Sequence, residues 1–507
     1  MRRVAEVYDV IVVGGGPVGM LVANELALHD VSALVLEQRG DVSEYPKAGT
    51  YHSRAIGTLA RRGIVATPRQ TNDHTTITSE PFQFAGYPWI TVRGRTIDGA
   101  VMLGIAQADL ERAITRHAES EGAHLLREMT VTSVHQEPQH VTVVATDAGG
   151  VERSFTARYV VGADGGRSIV RRSGDFAVTE YPPTMRAILG LATIPHPHQL
   201  RPGWSHTARG WTLLNLNRYG ESRLIVFEFD GPVDDRSAPV TAEEYSAAID
   251  RVVGSHVDVV EPHYLNRFSD YSRIVHNYRD GRLFVAGDAA HIHYPLGGQG
   301  LNTGIVDAVN LGWKLAAVVT GAADESLLDT YCAERQSVGQ WIVDNTRVQS
   351  MLMNPASSND PLRSVFAQML CSSDAHDWLA DKLNGTSLRH EVGGGIDPDL
   401  DGIFLPDHEV LVDGERTTVS KLLQDGRFVL LAAPRVVDEL AHQVALPFTR
   451  VVAADGLPAK YPEIVVIRPD GYVAWAGNRV SVSAMIDTLR ERFGLACAPV
   501  DDAVMLG

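Results

Sequence analysis

Cysteine is nearly absent: Cys332, Cys371 and Cys497 are the only three in 507 residues, and they lie far apart. That sparsity excludes a disulfide framework and a cysteine-rich metal site, and without a Cys-x-x-C pair dithiol redox chemistry is excluded too. A reducing cytoplasm is the compartment that fits. Nowhere does an uninterrupted apolar run approach the roughly 18 residues of a membrane helix, so no membrane partner is expected. Arg2-Arg3 ahead of an apolar stretch could open a secretory signal, but Glu6, Asp9, a glycine cluster and Pro17 break that stretch and no small-residue cleavage site stands out. Basic residues are also scarce. The 45 Lys and Arg against 62 Asp and Glu give a net charge of −17, which repels nucleic acid and anionic lipid in the absence of a local basic run. What is left, 44% hydrophobic and 21% charged with no repeat or low-complexity tract, is the make-up of a globular protein of about two to four domains.

The most informative stretch present is Val10-Ile11-Val12-Val13-Gly14-Gly15-Gly16-Pro17-Val18-Gly19. Four consecutive apolar residues read as a buried strand, and Gly14-x-Gly16-x-x-Gly19 turns from it into a helix beginning near Val18. Glycine suits that turn because the backbone must bend sharply and let a phosphate into contact, while the helix end supplies unpaired N–H groups and partial positive charge. A second strand, Ala33-Leu34-Val35-Leu36, ends in Glu37, where a carboxylate can accept hydrogen bonds from an adenosine ribose. An acid in that slot favours FAD or NAD over NADP.

Further along, Asp109 to Ile114 opens an amphipathic helix, with Leu110, Ala113, Ile114 and Ala118 at helical spacing. The segment Pro81 to Trp89 is aromatic and proline-rich, unsuited to a helix and fit for a pocket wall. Residues 211–217 and 223–229 read as two strands of an antiparallel sheet joined by a hairpin at 218–222. A strand at 282–286 then runs into Gly287-Asp288, and Leu301, Ile305, Ala308, Val309 and Leu315 form the inward stripe of a long helix. Beyond about residue 400, Phe428 to Leu431, Ile464 to Ile467 and Val473 to Trp475 are strand-like, and they suggest a separate small α/β domain.

Four separated motifs resemble the single-component flavin aromatic hydroxylases, the group of para-hydroxybenzoate and phenol hydroxylases. Within that group the likeness is greatest to actinobacterial polyketide hydroxylases and rifamycin monooxygenases. The motifs are the glycine fingerprint with Glu37; Gly162-Ala163-Asp164-Gly165-Gly166-Arg167-Ser168; Gly287-Asp288-Ala289-Ala290-His291 followed by Pro295-Leu296-Gly297-Gly298-Gln299-Gly300-Leu301-Asn302; and the pair Arg54 and Gln107. The resemblance implies that Asp164 and Arg167 touch both FAD and the nicotinamide cofactor, and that Asp288 bonds the ribityl chain. It further implies that Gly297, Gly298 and Gly300 let backbone pass under the flavin ring beside Pro295, Leu301 and Asn302, and that Arg54 and Gln107 lie along the pyrophosphate and ribityl portions. Two positions depart from the pattern: Gly57, where relatives usually carry glutamate, and Tyr294, where close relatives often carry proline. His291 and His293 alternate onto one face of a strand without a third ligand nearby, so no metal is expected.

The implied fold is α/β. A Rossmann-like FAD-binding domain (1–75, 102–180 and 275–395) carries an inserted antiparallel-sheet substrate domain (76–101 and 181–274) and a thioredoxin-like C-terminal domain (400–507). The implied function is monooxygenation of a polycyclic aromatic, polyketide-type substrate through a flavin C4a-hydroperoxide, using O2 with NADPH or NADH as transient co-substrate. Phe84, Tyr87, Trp89, Trp211, Phe227 and Phe229, with Tyr294, are the candidate substrate wall. No catalytic base stands out, and oligomeric state is left open, a homodimer being one candidate. Baeyer–Villiger or decarboxylative oxygenation, rifamycin-type inactivation, and a drug-binding protein without turnover are the competing readings.

Overall fold

The apolar run near the N-terminus forms the strand Glu6–Val13 in the middle of the largest sheet. The parallel strands Glu152–Gly162 and Ala33–Leu36 flank it, and Leu283–Val285 and His124–Leu126 add further parallel strands outside them. Val10 to Val13 are buried, as in a parallel strand covered on both faces, and each contributes about 1.5–3 kcal/mol of apolar burial. The helix Pro17–Ala27 makes the crossover to the second strand and packs against the long helix Gln299–Val319. Register sets Leu36, Val13, Gly162 and Val285 in one row across four strands. Glu37, Gly14, Ala163-Asp164 and Ala286 to Asp288 therefore leave the sheet side by side at its carboxyl edge, where ligands of open α/β sheets bind.

This computed structural model describes residues 6–44, 49–66, 76–77, 82–87, 91–92, 102–217, 220–229, 238–390, 392, 397–441, 444–445, 448–455, 458, 460–478 and 481–499.

A second sheet is wholly antiparallel, in the order Gly203–Thr207, Gly210–Asn215, Ser222–Glu228, Arg186–Thr193, Val260–Ser269. It contains the expected pair of strands, although Arg218 and Tyr219 of the connection lie outside the described residues. Side chains alternate between its two faces. Ile188, Leu214, Leu224 and Val226 pack on Tyr245, Ile249 and Val252 of the helix Ala242–Val253. Leu189, Trp211, Ile225 and Phe227 join a different cluster that includes Phe84, Tyr87 and Tyr294.

In the C-terminal part, Phe428–Ala432 and Thr449–Asp455 run parallel around the helix Pro434–Ala441. Ile464–Ile467 and Val473–Gly477 follow as an antiparallel pair, and the helix Val482–Phe493 closes the unit. That order and those directions are thioredoxin-like. Buried charges join this part to the long helices. Arg468 forks onto both carboxylate oxygens of Glu334, on the helix Asp329–Met353, at 2.9 and 2.8 Å, and onto Asp470. Lys314 Nζ donates to the same Glu334 at 2.9 Å. Burial opposes ionisation of Glu334, but Arg468 and Lys314 prevail and hold it well below the usual glutamate range; burial pulls Lys314 down to about 8.

Candidate active site

The segments leaving the carboxyl edge enclose one end of a cavity of about 1640 Å³. Gly14 takes a φ of +103°, and a Cβ there would stand 2.4 Å from the Ala163 carbonyl oxygen; at Gly19 it would stand 1.9 Å from that of Gly14. Those two glycines serve the packing of the chain itself. Gly16 differs, because a Cβ would meet no protein atom within 4 Å and the residue lines the cavity. It precedes the helix Pro17–Ala27, whose N-terminus no side chain caps, so the first N–H groups face the cavity's polar end.

Glu37 is held beside this turn. Its Oε2 accepts the Gly15 N–H at 2.8 Å, and its Oε1 accepts the N–H and Nε of Arg39 at 2.9 and 3.0 Å. Burial pushes its pKa up, yet the bonds from Arg39 and Gly15 prevail and keep the carboxyl below the usual glutamate value. Asp164 Oδ2 accepts the Ile169 N–H at 2.6 Å, while its Oδ1 is buried without a hydrogen-bond partner. Burial raises the Asp164 pKa against its hydrogen bonds, the largest from Ser168. Asp288, on the turn Gly287–Ala289, is exposed to the cavity. A dinucleotide suits this set: an open glycine at an uncapped helix end, an ionised acid one strand away on one side, and an unsatisfied carboxylate oxygen one strand away on the other.

Gly297 and Gly298 take φ values of +70° and +66°, a left-handed conformation that glycine adopts at little cost. Asn302 pins this loop to the segment before it. Its Nδ2 donates to the carbonyls of Thr50 at 3.0 Å and Gly298 at 2.7 Å, and its Oδ1 accepts the His52 N–H at 2.7 Å. Gln299, Gly300 and Leu301, the first turn of the helix Gln299–Val319, line the cavity, and no side chain caps that helix either. Behind the loop, fully buried Asp307 accepts from Arg335 Nε at 2.8 Å, His291 Nε2 at 2.8 Å and the Gly287 N–H at 3.3 Å. His293 goes elsewhere: Nδ1 donates to the Tyr294 carbonyl at 2.7 Å and the ring lines the cavity, where burial lowers its pKa to about 4 and leaves it neutral. Among the described residues no group of three His, Cys, Asp or Glu could hold a metal.

The far end of the same cavity is the antiparallel sheet. Leu213, Ile225, Phe227 and Phe268 line it together with Trp204 and Tyr294. Trp204 stacks on Phe227 at 5.4 Å and Phe268 on Tyr294 at 6.4 Å. An ordinary small-molecule site occupies about 300–1,000 Å³. This cavity has room for a dinucleotide and a second molecule.

Residues 7–346 match the family model described as FAD binding domain, and residues 399–496 match aromatic-ring hydroxylase, C-terminal. The chain belongs to the FAD-dependent aromatic-ring hydroxylases. A rifampicin monooxygenase of Streptomyces venezuelae is 33% identical over 93% of this chain and 96% of its own. The solved structure of the OxyS anhydrotetracycline hydroxylase from Streptomyces rimosus superposes with a TM-score of 0.87 at 31% identity, covering 97% of this chain and 100% of that one. The structure of the Diels-Alderase PyrE3 superposes with a TM-score of 0.80, also at 31% identity, over 97% of this chain and 100% of that one.

In this hydroxylase, Gly14, Gly16, Glu37, Gln107, Asp164, Arg167 and Asp288 line the cavity, as do Pro295, Gly297, Gly298, Gly300 and Leu301. Gly19 and Asn302 are not among the lining residues and act on the backbone around it. Gly300 owes its size to His293, whose Nε2 would stand 2.8 Å from a Cβ. Arg54 lies outside the lining; its Nε donates to the Gly385 carbonyl at 3.1 Å and its guanidinium covers Phe404 at 3.8 Å. The same Phe404 ring would stand 3.2 Å from a Cβ at Gly57, so the space for a longer side chain is already filled.

Of the aromatic wall residues, Phe227 and Tyr294 line the cavity, whereas Phe84, Tyr87 and Trp211 form the layer behind. Phe229 packs on that layer only in part, and Trp89 lies outside the described residues. Trp211 Nε1 donates to the Met353 carbonyl at 2.7 Å, a bond that holds it in the layer. Sequence reasoning missed Arg39, Trp204, Phe268 and Asp307. Only Arg39 carried a signal, as a base two residues from an isolated acid.

Proposed function

We propose that this protein hydroxylates a polycyclic phenolic substrate, of the polyketide type, in the part of the cavity walled by the antiparallel sheet. One continuous cavity carries this reading: it runs from Gly16 and Glu37, past the 295–301 loop, to the aromatic face of Trp204, Phe227 and Phe268. Gly16 and the uncapped helix behind it would hold the FAD pyrophosphate, Glu37 the adenosine ribose, and Asp288 the ribityl hydroxyls. FAD, when bound, supplies hydride acceptance from NAD(P)H and oxygen transfer from O2 to an electron-rich ring. The protein's own task is placement and exclusion of water. Stacked Trp204 and Phe227 present a flat surface for fused rings, and buried Tyr294, whose phenol burial holds well above the usual range, stays neutral beside the loop. The division into 1–75, 102–180 and 275–395, then 76–101 and 181–274, then 400–507 follows from the same reading, as does a cytoplasmic setting for a chain with three free thiols.

The test uses the yellow protein, a panel of polyphenolic polyketides and rifamycins, and the rate of NADPH oxidation. Substrates that accelerate oxidation and leave one oxygen atom heavier support the proposal. A relative named as a Diels-Alderase shares the fold, so a product of unchanged mass and rearranged skeleton would instead mark a cyclase. Ligands bound tightly and recovered unaltered without oxidation would overturn both.

A further inference from the structure

Arginines on the antiparallel sheet are treated differently on its two faces. On the helix-covered face each has a carboxylate: Arg186 Nε meets Glu228 at 3.0 Å and Arg267 Nη1 meets Glu244 at 2.7 Å. Arg223 points the other way, into the cavity, on the same strand face as Ile225 and Phe227. Among the described residues its buried Nε has no hydrogen-bond partner and no carboxylate offsets the burial that lowers its pKa. Asn215 faces it in register from the adjacent strand and lines the same wall. A half-buried guanidinium without a counter-charge is costly unless a ligand supplies one.

We infer that Arg223, with Asn215 beside it, anchors a delocalised anionic oxygen group of the substrate, a carboxylate or the enolate of a diketone. The inference rests on the reading of this end of the cavity as the substrate end. Arg223 is four residues from Phe227 along one strand, about 13 Å at strand rise. A molecule held by its acid at Arg223 with its rings on Phe227 must be several fused rings long. A planar fork donating two parallel bonds selects such a group over a neutral ester or amide of the same shape.

Calorimetric titration of the FAD-loaded protein with an anthraquinone carboxylate and its methyl ester tests the carboxylate source, and anhydrotetracycline, whose acidic group is an enolised diketone, tests the other. The wild type is expected to bind at least one anion about tenfold tighter than Arg223→Gln does, and, if the source is a carboxylate, to prefer it to the ester by a similar factor. In Arg223→Gln that preference falls to near unity with flavin content and melting unchanged, while Arg223→Lys keeps part of it. Anion affinities left unchanged in Arg223→Gln, or a loss of FAD in that variant, would overturn the inference. Flavin content and NADPH oxidation are read separately, so a failure of the hydroxylase reading shows as a colourless or inert wild type, not as a missing charge preference.

Discussion

The two ends of the cavity are made of different material. At the cofactor end the surface is largely backbone: Gly14 and Gly16, the turn at Gly287, the left-handed pair Gly297 and Gly298, and two helix ends without side-chain caps. At the sheet end it is side chain: Leu213, Ile225, Phe227 and Phe268 stand on strands whose ladders pass beneath them. Backbone surface is shared by every substitution that leaves the fold intact, whereas side chains on a strand can be exchanged singly. A fixed cofactor end facing a replaceable wall is an arrangement in which one chemistry meets many substrates.

That contrast can be broken most severely at the glycines. Gly19→Val places atoms within 2 Å of the Gly14 carbonyl and is expected to prevent folding altogether, seen as insoluble protein. At Gly16 an added Cβ meets no protein atom within 4 Å, so Gly16→Val is expected to fold with an unchanged melt and to lack flavin absorbance. Equal behaviour of the two variants would erase the distinction between packing glycine and ligand glycine.

Next in size is Asp307→Asn, which leaves Arg335 buried without its full counter-charge and is expected to cost about 3–5 kcal/mol in denaturant unfolding. Its pH dependence has a definite sign. Burial raises the Asp307 pKa, but Arg335 and His291 outweigh it and hold the carboxyl below its usual value. The stability it contributes is therefore present above about pH 4, the unfolded value, and is lost as pH falls through the native one. The Asn variant should lose that part of the acid sensitivity.

Asp288→Ala tests the cofactor end without touching the core, because the side chain is exposed to the cavity. The expected outcome is a protein purified largely without FAD at an unchanged melting temperature; full flavination would remove the proposed role. The smallest effects belong to the wall. Trp204→Ala should raise KM with little loss of flavin, whereas Trp211→Phe, one layer back, should lose about 1 kcal/mol with its bond to Met353 and leave KM nearly unchanged. Indistinguishable KM values would merge the two layers.

The cofactor end was legible in the sequence because its parts are contiguous: strand, glycine turn and helix follow one another from Val10 to Ala27, Glu37 directly follows its strand, and Asp288 lies in the turn just past the strand ending at Val285. Start points differed by a residue or two, as helix ends do, with the long helix opening at Gln299 instead of Leu301. The sheet end was half legible. Alternation marked Trp211, Phe227 and Phe229 as apolar strand positions, but the layer behind the cavity wall also takes Phe84 and Tyr87 from outside the sheet, and no local pattern orders those layers. Asp307 was invisible for a related reason. It lies off the apolar stripe of a helix that is buried nearly all round, and its partners His291 and Arg335 are distant in sequence and meet it only when the elements pack.

Among the described residues, none that lines the cavity comes from beyond Gln349. Yet Arg468 of the thioredoxin-like part grips Glu334, between Lys314 and the turn at Asp470, on the two helices that begin at the cofactor loop and finish at the Gln349 wall. A chimera that exchanges the last hundred residues with those of a relative would thus transmit any mismatch at this buried junction into both catalytic surfaces. Grafting would have to carry Lys314 and Glu334 along with the new tail.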